Sequence, residues 1–316
     1  MSRRLVHARA LAVGLALAAV TTEAVADPAG CRTVRFSDVG WTDISATTAI
    51  AAGLLESIGY APKTQILSVP VTYASMGSKN IDVFLGNWMP TMEADRKPYL
   101  DQGKIEVFGP NLTGAKYTLA VPDYLYEQGL HSFSDIAKFR RPLKGKIYGI
   151  EPGNDGNRTI LGIIKDNTYG LGNFDIVESS EQGMLAQVER SIQRREPIVF
   201  LGWEPHPMNT KFKIKYLSGG DDTFGPNYGG AEIFTNLRAG YSAECPNLGR
   251  FFKNLVFDLP TENVVMGKIL FDGMLPEKAA AAWLKDNPDT WKRWLDGVET
   301  FDGQPALPAA QAALLR

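Results

Sequence analysis

The chain has 316 residues, 44% of them hydrophobic and 22% charged, with 33 basic against 35 acidic side chains and a net charge of −2. This is an ordinary globular composition, and it leaves no basic footprint for nucleic acid. Past one short apolar run at the start, no stretch reaches the ~20 residues that a membrane-spanning helix needs.

The first 26 residues read as a removable leader. Arg3 and Arg4 precede an apolar run from Leu11 to Val20, and Ala24-Val25-Ala26 gives a small-x-small cleavage pattern before Asp27. The run is about ten residues long, too short to span a bilayer. The Arg pair lacks the Lys and Phe expected after a twin-arginine signal, so the general export route is expected. Ala29-Gly30-Cys31 resembles the end of a lipoprotein signal, but Pro28 stands where Leu is usual and Asp27 separates Cys31 from the apolar run. A soluble periplasmic protein is therefore expected rather than a lipid-anchored one. The mature chain of about 290 residues exceeds a usual single core, which favours two domains.

Strands then alternate with helices. Thr33 to Ser37 reads as a strand with Val34 and Phe36 on one face. Ile44 to Tyr60 reads as a helix, with Ala46, Ile50, Ala51, Leu54, Leu55 and Ile58 at helical spacing and Gly59 at its end. Gln65 to Val69 and Ile81 to Leu85 read as strands. A similar set follows: strands at Tyr117 to Val121, Lys146 to Ile150, Phe174 to Val177 and Ile198 to Leu201, with a helix opening after the Gly153-Asn154-Asp155-Gly156 loop and another from Glu181 to Arg195. After a last strand at Lys213 to Leu217 the chain is mostly helical from Cys245 to about Gly297, and the Pro/Ala-rich tail from Gln304 reads as a loose terminus. This alternation implies an α/β protein with parallel sheets covered on both faces.

The chain has two cysteines, Cys31 and Cys245. An even count in an exported protein suggests one disulfide. It would join the first mature residues to a segment near the C-terminus, so both ends would share a domain. The expected division is residues 27–113 plus 212–316 as a discontinuous first domain and 114–211 as the second. Two crossings between two α/β lobes make a hinge, with the ligand in the cleft.

Enzyme signatures are missing: there is no Gly-x-Ser-x-Gly elbow, phosphate loop or Gly-x-Gly-x-x-Gly, and His131 and His206 have no partners at metal-ligand spacing. No cofactor or metal is expected. The tryptophans are more informative. Trp41, Trp88 and Trp203 each follow the carboxyl end of an apolar strand, the edge where open α/β sheets bind ligands. Trp283, Trp291 and Trp294 lie in the C-terminal helical region and read as packing.

Gly40-Trp41-Thr42-Asp43, Asn87-Trp88-Met89-Pro90 and Trp203-Glu204-Pro205-His206-Pro207-Met208-Asn209 resemble the substrate-binding proteins of quaternary-amine ABC importers, above all the choline-binding members. The resemblance runs over nearly all the mature chain and includes both cysteines. It implies a two-lobed periplasmic-binding-protein fold of type II, a monomer that is not an enzyme, and partners in a membrane permease and a cytoplasmic ATPase. It also implies an aromatic box of Trp41, Trp88, Tyr117 and Trp203 around a trimethylammonium group, with Asp43 and Asn154 at the choline hydroxyl. Tyr117 enters by resemblance alone. A quaternary ammonium has no N–H to donate, and its charge is attracted to ring faces at about 0.5–2 kcal/mol each. Asp43 and Asn154 also suit helix caps or turns, and His206, between two prolines, suits a loop that aims Trp203. Glycine betaine, proline betaine or carnitine on the same scaffold is the alternative ligand class, and a secreted choline-ester hydrolase is a distant one.

Overall fold

A computed structural model describes residues 27–315 of the protein; the leader read at residues 1–26 lies outside them. Nine strands form one sheet: β1 (Thr33–Asp38), β2 (Ala61–Ile66), β3 (Val83–Met89), β4 (Ile105–Pro122), β5 (Lys146–Tyr148), β6 (Asp175–Val177), β7 (Phe200–Glu204), β8 (Ile214–Tyr216) and β9 (Gly230–Arg238). Their spatial order is β2-β1-β3-β9-β4-β7-β5-β6, with β8 on the far end of β4. This is the α/β architecture of a two-domain periplasmic binding protein.

The sheet is mixed, not parallel throughout. β2-β1-β3 and β7-β5-β6 are parallel wings, each built through helical crossovers. Between them, β3-β9, β9-β4 and β4-β7 pair antiparallel. The reason is β4. Its 18 residues run from one wing to the other, pairing β9 along Ile105–Lys116 and β7 along Lys116–Ala120. A strand shared by both wings cannot take the orientation that helical crossovers impose within each. β8 pairs Ala120–Pro122 of β4, so residues 214–216 lie on the second wing, and the chain returns to the first through β9.

Other elements also differ from the sequence pattern. The strand read at 65–69 lies earlier: β2 ends at Ile66, and Val69–Gly77 is a helix with Pro70 in its first turn, where a missing N–H is harmless. Pro62 is tolerated in β2 because that strand is an edge. The C-terminal tail is not loose. Ala306–Leu314 is a helix whose Ala306 and Ala310 are buried.

The first wing carries the long helix Thr42–Ser57, whose Ile44, Ile50, Leu54 and Leu55 are buried. The first described residues and the C-terminal helices meet on this wing. Cys31 and Cys245 form a disulfide with Cα atoms 5.8 Å apart, closing a separation of 214 residues. Beside it the Asp27 carboxylate accepts the backbone N–H groups of Asn247 at 2.9 Å and Leu248 at 3.2 Å, in the first turn of the helix Pro246–Asn254. A carboxylate there meets free donors and the positive end of the helix.

Candidate ligand-binding site

Where the two wings meet, four aromatic side chains close tightly around a small pocket lined by Trp41, Asp43, Trp88, Tyr117, Ile150 and Trp203. Trp41 occupies the N-cap position of Thr42–Ser57, just past β1. Trp88 and Trp203 lie within the last residues of β3 and β7, not beyond them. Each is followed within two residues by a cis X-Pro bond, Met89-Pro90 and Glu204-Pro205. Tyr117 faces Trp203 across the β4–β7 ladder. Its ring lies 5.8 Å from Trp88 and 6.2 Å, edge-on, from Trp203, with Phe224 behind it at 5.9 Å. The close fit depends on two glycines. A Cβ at Gly156 would stand 2.0 Å from the Tyr117 hydroxyl, and one at Gly229, where φ is +73°, would stand 2.1 Å from the Tyr117 carbonyl oxygen.

Three of the four rings are held by a side-chain hydrogen bond. Trp41 Nε1 donates to Glu151 at 2.6 Å, and Trp88 Nε1 donates to Asp43 Oδ2 at 3.0 Å. The Tyr117 hydroxyl donates to Asn154 Oδ1 at 3.1 Å. The Trp203 carbonyl accepts from Asn209 at 2.8 Å, and its ring packs edge-on to His206 at 4.8 Å. His206 thus backs a wall and does not line the pocket.

Asp43 is 1% exposed, and its Oδ1 is buried without a hydrogen-bond partner. It is not a helix cap, because Trp41 holds that position. Burial, and then repulsion from Glu181, raises its carboxyl to about 8 despite the Trp88 hydrogen bond. Asn154 does cap a helix: its Oδ1 accepts from Asn157 N at 2.9 Å while also receiving Tyr117, and its Nδ2 donates to Asp155. It is buried but stands behind Tyr117 and is not part of the lining.

Three carboxylates around the pocket escaped the sequence reading. Glu151 sits in the turn after Ile150, where burial raises its carboxyl. Glu181 opens the helix Glu181–Gln193. Glu262, on Leu259–Leu270, is buried, and its carboxyl is raised by burial first and by Asp43 second. Glu151 bonds Trp41 and Glu181 bonds Thr42, more than a hundred residues away, which no local pattern announces. Among the described residues no group of His, Cys, Asp and Glu is arranged to hold a metal ion, and no helix is long and apolar enough to cross a membrane.

Two α/β wings meeting at a buried aromatic pocket define a solute-binding protein of the periplasmic type. Residues 32–286 match the family described as the substrate binding domain of the ABC-type glycine betaine transport system, and the chain belongs to that family. Its members bind substrates for transport and are not enzymes. A solved ABC-transporter choline binding protein in complex with choline is 61% identical, with a TM-score of 0.90, covering 91% of this chain and 100% of that one. Lactococcal OpuAC, closed on glycine betaine, is 26% identical, with a TM-score of 0.76 over 83% of this chain and 98% of that one. The glycine betaine/carnitine transport binding protein GbuC of Listeria monocytogenes is 34% identical over 158 residues, 50% of this chain and 51% of that protein.

Proposed function

We propose that this protein captures choline in the periplasm and delivers it to the membrane permease of an ABC importer driven by a cytoplasmic ATPase. The observation that carries the reading is a buried ring of four aromatic faces with one unpartnered carboxylate oxygen beside it. Trp41, Trp88, Tyr117 and Trp203 surround the trimethylammonium group. Four rings at about 2 kcal/mol each supply roughly 8 kcal/mol, enough for about micromolar binding before ordering costs. Asp43 Oδ1 accepts the choline hydroxyl and its charge complements the cation. Asn154 joins it there by turning its amide from Asp155. The likeness to a choline-binding protein at 61% identity supports the same ligand.

The wings act as lobes that close on the ligand. The first comprises the N-terminal residues and those from about 230 onward, and the second the residues between β4 and β9. The chain crosses once within β4, near Ala115–Lys116, and again at Gly229–Gly230, where pairing passes from β8 to β9. On this reading the second crossing lies at Gly229–Gly230, later than the residue 212 expected from sequence.

Glycine betaine is the competing ligand, and one observation favours it. An Asp43 carboxyl raised to about 8 is protonated at neutral pH in the empty pocket and could donate to a carboxylate. Isothermal titration of the mature protein with choline and with glycine betaine separates the two. Tight choline and weak betaine binding is expected. Tight betaine binding would remove Asp43 as a discriminating anion, and binding of neither would overturn the reading.

A further inference from the structure

Glu181 is buried to 1% exposure, yet it touches neither the pocket nor solvent. Its two oxygens take three hydrogen bonds from both sides of the junction. From the first wing, the Thr42 backbone N–H donates at 2.8 Å and the Thr42 hydroxyl at 2.6 Å. From the second, His206 Nε2 lies at 3.1 Å. His206 Nδ1 accepts the Met208 N–H at 2.9 Å, which leaves the ring proton on Nε2, pointing at Glu181.

The partners matter because of their neighbours. Thr42 stands between Trp41 and Asp43, so holding its backbone fixes both a ring and the pocket carboxylate. His206 packs on Trp203. One carboxylate therefore reaches the first-wing and second-wing walls of the pocket at once, without touching what lies inside. A second junction contact differs in kind: Arg158 pairs with Asp95, but the arginine side chain is 41% exposed, so water and salt weaken the pair. Glu181 has no such screening. A buried carboxylate must have donors, and two of its three exist only while Thr42 is docked.

We propose that Glu181 is the latch of the closed state: a positioning residue that sets how long the lobes stay shut on their ligand, acting through Thr42 and His206. The inference rests on the reading of the aromatic pocket as the ligand site. It predicts that removing the latch speeds release and leaves capture by the open protein alone, since capture precedes closure. Truncating one side of a buried, charged hydrogen-bond pair acts mainly on dissociation.

The test is stopped-flow tryptophan fluorescence with choline on the wild type, Glu181→Gln, Thr42→Val and the double variant. The same proteins, spin-labelled at exposed Ile66 and Leu161, give the distance between wings with and without choline. Each single variant is expected to raise the dissociation rate by at least roughly tenfold, to change the association rate less than about threefold, and to shift the labels toward longer distances. The double variant is expected to be no worse than Glu181→Gln, because both changes break one contact. Unchanged dissociation and distances, or fully additive effects, would overturn the latch and leave the choline reading intact. A wild type that ignores choline, but whose wing distance still lengthens in Glu181→Gln, would overturn the ligand and leave the latch standing. If Glu181→Gln fails to fold, Thr42→Val carries the test alone, with unchanged release sinking the proposal.

Discussion

The six tryptophans fall into two groups that use the same side chain in opposite ways. In the C-terminal helices, Trp283 stacks on Trp294 at 5.9 Å, and the indole N–H groups of Trp291 and Trp294 donate to backbone carbonyls of Leu284 and Val256. Those partners are neutral, and the rings fill space. Around the pocket, Trp41 and Trp88 donate to carboxylates, Glu151 and Asp43. A carboxylate behind an indole adds negative potential to a ring face already suited to a cation. Both groups are buried, so burial alone does not separate structure from function; the carboxyl partners of Trp41 and Trp88 mark two of the pocket rings.

Substitutions can break this contrast. Trp291→Ala has the largest expected effect, a loss of about 3–5 kcal/mol of stability in denaturant unfolding, from a fully buried aromatic. Choline affinity of the protein that remains folded should not change, and an affinity loss would merge the two groups. Trp203→Ala is expected to weaken choline binding at least roughly tenfold in calorimetry, with a smaller effect on unfolding, and an unchanged affinity would remove it from the box.

The carboxylates sharpen the contrast. A bound cation favours ionised Asp43, so Asp43 titrates lower in the complex than in the empty pocket, where it stands at about 8. Choline affinity should then rise with pH up to about 8 and level off above it, by at most about tenfold per pH unit. Binding should also release protons, visible as a buffer-dependent enthalpy. Asp43→Asn should flatten the profile, and a slope that survives would assign it elsewhere. Glu151→Gln, which leaves Trp41 a neutral partner, is expected to cost about 1 kcal/mol, or fivefold in affinity.

The legible part of this protein was whatever repeats locally. The clustering of Trp41, Trp88 and Trp203 at the carboxyl ends of strands could be read from spacing, and five of the six expected site residues line one pocket. Tyr117 carries no local signal, because it sits midway along a strand whose first half was not read. The same holds for β9, although its inward Ala231, Ile233 and Thr235 alternate with Glu232 and Phe234 as a strand should. The antiparallel centre escaped because strand direction follows from which wing each strand serves. Glu151 and Glu181 escaped for a similar reason: their partners lie 110 and 139 residues away.

The order of the sheet has a consequence for how the chain emerges during synthesis. β3 pairs with β1 on one side and with β9 on the other, and β9 comes some 140 residues later. Until residues 230–238 leave the ribosome, β3 presents an open edge of Val83, Phe84 and Leu85, a template for mispairing. The intervening wing is continuous in sequence and can complete itself first. Nascent chains arrested just short of β9 should therefore be the aggregation-prone ones and the natural clients of a holding chaperone, while arrest a few residues beyond Arg238 should relieve them.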